Sequence, residues 1–149
     1  MQAGSRQRGF TLIAVLVAMT LTALALQAVM TVVSQQDRRE REQQLRRVGR
    51  AITQAIGDYY RSSPGSVKNW PSSLQDLTQD RRFVDARRYL REVYDDPIMR
   101  SADWGLVRAP GGGIAGVYSL SDDPPVSEGA RYSDWKFTFS PDSLEAAPR

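Results

Sequence analysis

The chain has 149 residues, no cysteine and no histidine, with 20 Lys and Arg against 17 Asp and Glu and a net charge of +3. Disulfides, thiol nucleophiles, imidazole bases and ordinary zinc sites are thereby excluded. The small positive charge is carried by arginines interleaved with acids, so no concentrated patch supports nucleic-acid binding.

The first nine residues form a polar leader with Arg6 and Arg8, which runs directly into an uncharged apolar stretch from Phe10 to Val33. About 24 helical residues at about 1.5 Å each reach about 36 Å, enough to cross a hydrocarbon core of about 30 Å. The stretch is too long for the apolar region of a cleaved secretory signal. A buried core helix is ruled out because the strongly polar remainder has too little apolar surface to enclose one. Two readings stay open on hydropathy alone: a signal anchor with Arg6 and Arg8 kept cytoplasmic by the positive-inside bias, or an anchor that also assembles.

The run Arg8-Gly9-Phe10-Thr11-Leu12-Ile13 resembles the processing site of the type IV pilin and pseudopilin family. The resemblance implies cleavage by prepilin peptidase between Gly9 and Phe10, methylation of the new N-terminal Phe10, and an assembly helix that begins Thr11, Leu12, Ile13, Ala14. The family usually has Glu at the fifth mature position, where this chain has Ala14. That glutamate is thought to pair with the N-terminal ammonium of a neighbouring subunit. An unpaired carboxylate there costs several kcal/mol, so Ala14 removes both the cost and the partner. Some minor pseudopilins at the filament tip lack the acid, so Ala14 favours a minor pseudopilin over a major subunit. No proline falls between Phe10 and Val33, so no kink is forced.

Residues 34–61 read as a continuation of the same helix, from about Thr11 to about Arg61, roughly 75 Å long. Leu45, Val48, Ile52, Ile56 and Tyr59 recur at spacings of three and four, the stripe of an amphipathic helix, widened by Ala51 and Ala55. Arg38, Glu42 and Arg46 alternate in sign four residues apart. The segment from Asp37 to Arg50 is expected to be a solvated charged face, with contacts to neighbouring subunits or lipid headgroups as the alternative.

Ser62-Ser63-Pro64-Gly65-Ser66 ends the helix and opens a globular part over 62–141, followed by a flexible tail, 142–149. Pro71 to Leu77 is expected as a short helix with Pro71 in its first turn and Leu74 and Leu77 inward. Asp85 to Val93 is either a short helix or an irregular connection. Trp104 to Val107 and Ile114 to Ser119, separated by Pro110-Gly111-Gly112-Gly113, predict a β-hairpin. Ser133 to Phe139 predicts a third strand whose Trp135, Phe137 and Phe139 pack on the helical stripe. The fold expected is α+β, a long N-terminal helix on a small antiparallel sheet. Its element order, with Trp70-Pro71, Asp96-Pro97 and the Trp104-Gly105 strand, is similar to the pilin-like fold.

Gly111, Gly113 and Gly116 match the dinucleotide pattern G-x-G-x-x-G, but β-like Val117-Tyr118-Ser119 follows where a helix is required, so they read as turn residues. Asp122, Asp123, Glu128 and Asp134 are hard oxygen donors in one long loop. Major pseudopilins resemble this in placing calcium in the loop before the last strand. On that likeness Asp122, Asp123 and Asp134 would hold Ca2+; equally, Asp-Asp-Pro-Pro is good turn chemistry.

No nucleophile and base cluster in the sequence, so no catalytic residue is expected and the protein is not read as an enzyme. The resemblance implies a single-pass protein of the bacterial inner membrane, N-terminus cytoplasmic and C-terminal domain periplasmic. Its partners would be prepilin peptidase, other pseudopilins or pilins, the inner-membrane assembly platform and the lipid bilayer. It would serve a type II secretion filament or a type IV pilus system, between which the sequence does not choose. The rival is a signal-anchored periplasmic binding module that never assembles.

Overall fold

The structure is a computed structural model that describes the backbone of residues 6–141 and the side chains of 10–24 and 34–141. The leader residues 1–5 and the expected tail, 142–149, lie outside the described residues. Two compact units divide the chain, Met1–Arg38 and Arg39–Arg149. The elements in chain order are helix α1 (Arg6–Arg61), a 3-10 turn (Leu74–Leu77), strands β1 (Gly105–Arg108) and β2 (Ile114–Tyr118), a second 3-10 turn (Tyr132–Asp134) and strand β3 (Phe137–Thr138).

In the second unit, the helical stripe is the floor of the core. Leu45, Ile52, Ala55, Ile56 and Tyr59 are buried, with Val48 packed at their edge, and they meet Leu74, Leu77, Leu90, Trp104, Ile114, Val117 and Tyr132. The spacing of the stripe puts these side chains on one face of α1, and burying that face is the main source of its stability.

At the end of α1 the last carbonyls have lost their intrahelical donors and must find others. The Asp58 and Tyr60 carbonyls accept the N–H groups of Ser62 and Ser63 at 2.9 and 3.3 Å. The Tyr59 carbonyl accepts from the Arg82 guanidinium at 2.9 Å, and the Arg61 carbonyl from the Lys68 ammonium at 3.1 Å. Arg82 is held in place by Asp80, which it meets through Nε at 2.9 Å and Nη2 at 2.7 Å, and it lies over the Tyr59 ring at 3.5 Å. Burial alone would push the Asp80 carboxyl up. Hydrogen bonds from Arg82 and from the Tyr89 hydroxyl outweigh it, and Asp80 stays below the usual carboxylate range.

The short helix expected from Pro71 is smaller than the sequence suggests. Ser73 caps a 3-10 turn of Leu74–Leu77, and the Asp76 carboxylate accepts the N–H groups of Ser72 and Ser73 at 2.9 and 3.0 Å. Pro71 lies before this turn, not in it. It is buried, and its carbonyl accepts the Ile114 N–H at 2.8 Å, which ties the segment to β2. Leu74 and Leu77 do face inward. Asp85 to Val93 takes the irregular course, fastened by the N–H groups of Tyr89 and Leu90 on the Leu77 carbonyl.

The sheet has the order β1-β2-β3, antiparallel throughout. Gly105 pairs with Tyr118 and Val107 with Gly116, and the register shifts before Arg108, which pairs with Ile114. Gly111, Gly112 and Gly113 all have positive φ, near 80–100°, so the glycines of the apparent dinucleotide pattern are hairpin residues, with Gly116 inside β2.

The third strand is shorter than the expected Ser133 to Phe139. Its first half folds into the 3-10 turn Tyr132–Asp134 because the N–H groups of Asp134, Trp135 and Lys136 bond locally, to Arg131, Tyr132 and Asp134. Only Phe137–Thr138 pairs with β2. The alternation survives: Trp135, Phe137 and Phe139 are half-buried against the core while Asp134, Lys136 and Thr138 are exposed. A Cβ on Gly49 would overlap the Phe137 ring, and one on Gly57 would lie 3.0 Å from the Phe139 ring. The two glycines let β3 lie close to α1. The architecture is α+β, a helix packed with a three-stranded antiparallel sheet, consistent with a pilin-like fold.

Candidate functional site

The first unit is built on the part of α1 that begins at Arg6, earlier than the Thr11 start expected from the apolar pattern. The Gly9–Phe10 peptide bond therefore lies inside the helix.

From Phe10 to Leu24 every side chain is exposed within the chain, with Phe10 at 74%. Leu12, Ile13, Val15, Leu16, Val17, Met19, Leu21 and Leu24 cover all sides of the helix. A helix apolar all round is stable only when lipid or other protein surrounds it. Two of the threonines in this stretch bond back inside the helix: the Thr20 hydroxyl donates to the Leu16 carbonyl at 2.7 Å and the Thr22 hydroxyl to the Ala18 carbonyl at 2.8 Å. Such back-bonding hides hydroxyls that an apolar medium would otherwise penalise. Small residues open a shallow groove of about 450 Å³ at Val15, Ala18, Met19, Thr22 and Ala23. A shape of this kind lets another helix approach closely. Ala14 is exposed on the same helix.

Among the described residues no helix is long and apolar enough to cross a membrane. The expected span, Phe10 to Val33, runs on into 25–33, whose side chains lie outside the described residues.

The charged face expected from Asp37 to Arg50 holds one exception. Glu42 is buried, at 4% exposure, and its carboxylate accepts the N–H groups of Val126 and Ser127 at 3.1 and 3.3 Å. Arg46 joins it at 3.4 Å, donates to the Ser127 hydroxyl at 2.9 Å and lies over the Trp135 ring at 4.2 Å. This cluster fixes the loop between β2 and β3. Glu42 falls three positions before Leu45, at the edge of the stripe, but its loop partners lie more than 80 positions away, so the pattern does not by itself show what it bonds.

Asp122, Asp123 and Asp134 are not gathered into a cage. The Asp122 carboxylate is engaged by the Ser133 hydroxyl at 3.0 Å and by Arg131 at 3.5 Å, and the Asp123 carbonyl accepts the Tyr132 N–H at 3.2 Å. Asp134 stands in the second 3-10 turn. Among the described residues no group of three acidic side chains is placed to hold a metal ion, so the geometry lends the calcium expectation no support.

Residues 4–26 match the prokaryotic N-terminal methylation motif, which is characteristic of type IV pilins and pseudopilins. No curated protein and no solved structure matches the chain.

Proposed function

We propose that this chain is a pseudopilin-type filament subunit, cut by prepilin peptidase between Gly9 and Phe10, methylated on Phe10, and assembled through its apolar N-terminal helix. The observation that carries the reading is the methylation motif at residues 4–26 placed on a helix whose Phe10 to Leu24 side chains are exposed and apolar on every side. The motif is that of structural subunits, and it implies processing by the peptidase and assembly with other pilins.

Each part of the segment has a physical task. Arg6 and Arg8 hold the leader on the cytoplasmic side of the inner membrane. Hydrolysis of the Gly9–Phe10 bond removes both charges, after which the next charged side chain is Asp37. The trimmed helix holds the subunit in the bilayer until it joins a bundle of like helices. There close packing at Ala14, Ala18 and Thr22 replaces lipid contact. With Ala14 in place of an acid, the helix offers no carboxylate to a neighbour's terminal ammonium, which favours a minor subunit. The filament is that of a type II secretion system or a related type IV pilus system, and its periplasmic surface is formed by the unit from Arg39 onward.

The test is mass spectrometry of the mature N-terminus from cells with and without prepilin peptidase. A peptidase-dependent chain beginning with N-methylated Phe10 is the expected result. An intact leader, or a cut elsewhere, leaves the non-assembling signal-anchored module in its place.

A further inference from the structure

Between the second half of α1 and β3 runs an open groove of about 460 Å³, lined by Arg50, Gln54, Gly57, Arg61, Lys136 and Phe139 among others. It presents three cations and no acid. Arg61 is paired with Asp58, whereas Arg50 and Lys136 are exposed and form no ion pair among the described residues. β3 is the edge of the sheet. The Phe139 N–H donates to the Ala115 carbonyl at 2.8 Å, so by alternation the N–H and C=O of Thr138 turn outward, away from β2. The groove therefore offers positive charge together with unpaired backbone groups.

The complementary surface is on the same unit. Residues 122–128 read Asp-Asp-Pro-Pro-Val-Ser-Glu, three acids and no base. Asp123 and Glu128 are exposed and unpaired among the described residues. Two successive prolines keep the loop extended, and the Glu42 carboxylate pins it at Val126 and Ser127. The loop is thus presented in a fixed position rather than left to fray. Neither Asp123 nor Glu128 pairs with a groove cation of its own copy among the described residues. The loop's anchor at Glu42 lies about 10–30 Å along α1 from the groove residues Arg50 and Arg61.

We propose that the acidic loop 122–128 of a second copy docks in this groove, with Asp123 and Glu128 against Arg50 and Lys136. The contact rests on the assembly reading above and supplies, outside the bilayer, a selectivity that Ala14 removes from the apolar helix. It joins two different patches and is therefore heterologous. When the two helices run parallel, each copy is shifted along the helix axis relative to the last, so the contact extends a file of subunits and does not close into a dimer.

Because the chain has no native cysteine, introduced thiols report the contact without background. Full-length copies carrying Thr138→Cys and Ala130→Cys, which leave the four charges in place, would be separately tagged, co-expressed and treated with a short bismaleimide in the membrane. The expected result is a mixed dimer several-fold more abundant than either same-site dimer or a Thr138→Cys with Val84→Cys control. Arg50→Glu should lower the mixed yield about fivefold at low salt, and Asp123→Arg in the other copy should restore it. A mixed dimer no more abundant than the Val84 control, or a yield indifferent to Arg50→Glu, overturns the docking. N-terminal trimming is read from the same cells. A trimmed chain without the crosslink loses only this contact, whereas an untrimmed chain removes the assembly reading itself.

Discussion

Glu42 and Ser127, 85 positions apart, are joined through both the backbone N–H and the hydroxyl of Ser127, and the carboxylate that makes the two bonds is almost wholly buried. A charge on a helix otherwise rich in solvated arginines thus holds the long loop before β3.

Removing that carboxylate strands the Val126 and Ser127 donors. Hydrogen bonds to a charged group are worth about 1.5–3 kcal/mol each, and their loss is partly offset by water reaching the loop. Glu42→Ala is expected to lower stability by about 2–3 kcal/mol, with Arg39→Ala near neutral, in denaturant titrations of the full chain in detergent. Limited proteolysis should cut Glu42→Ala first between residues 122 and 131. Equal effects of the two substitutions would show that Glu42 is only another surface charge.

The Asp80–Arg82 pair gives the protein an acid-sensitive limb. Asp80 titrates below its unfolded value, so its contribution to stability is fully present above about pH 4 and is lost as pH falls through the depressed folded value. Asp80→Asn should cost about 3 kcal/mol at pH 7, because it leaves a half-buried guanidinium without its counter-charge. The same substitution should make the denaturation midpoint less dependent on pH below about 4. Wild-type and variant curves that stay parallel through that range would remove Asp80 from the acid response.

Phe137 lies where a side chain at Gly49 would have to go. Gly49→Ala gains about 1 kcal/mol of helix propensity but overpacks the contact, a cost of about 1–3 kcal/mol, so a net loss is expected. Phe137→Leu should relieve it. The check is a double-mutant cycle, whose coupling energy should be favourable to the pair; a value near zero would mean that the ring moves aside freely.

Ala14→Glu tests the meaning of the missing acid. If a neighbouring terminal ammonium is the partner that the helix lacks, the variant should be incorporated into sheared filaments more efficiently than the native chain. An unpaired acid in lipid is costly, so a fall in membrane-inserted protein without any gain in filaments would show that no amine lies within reach.

The N-terminal motif was legible without any tertiary information because peptidase recognition, charge asymmetry and apolar length are properties of contiguous residues. The helical stripe Leu45, Ile52, Ile56, Tyr59 and the glycine hairpin Gly111 to Gly113 were legible for a similar reason: period and backbone conformation are encoded within a few positions. The alternation of Trp135, Phe137 and Phe139 pointed correctly to the face that meets α1, yet it overstated the strand. Local bonds at Asp134, Trp135 and Lys136 took the N–H groups that a longer ladder would have used.

What the amino-acid order determined by itself is therefore the local chemistry: a basic leader, a Gly9–Phe10 junction within the methylation motif, an apolar helix, an amphipathic continuation and a hairpin. Only the tertiary structure decided which charges are structural. Glu42 is one acid among the charges of the helix and Arg82 is one arginine among several, but folding brings the loop at Ser127 to the first and the carbonyl of Tyr59 to the last. The physical reason is that burial of a charge depends on partners that arrive from distant parts of the chain, and no local spacing records their arrival.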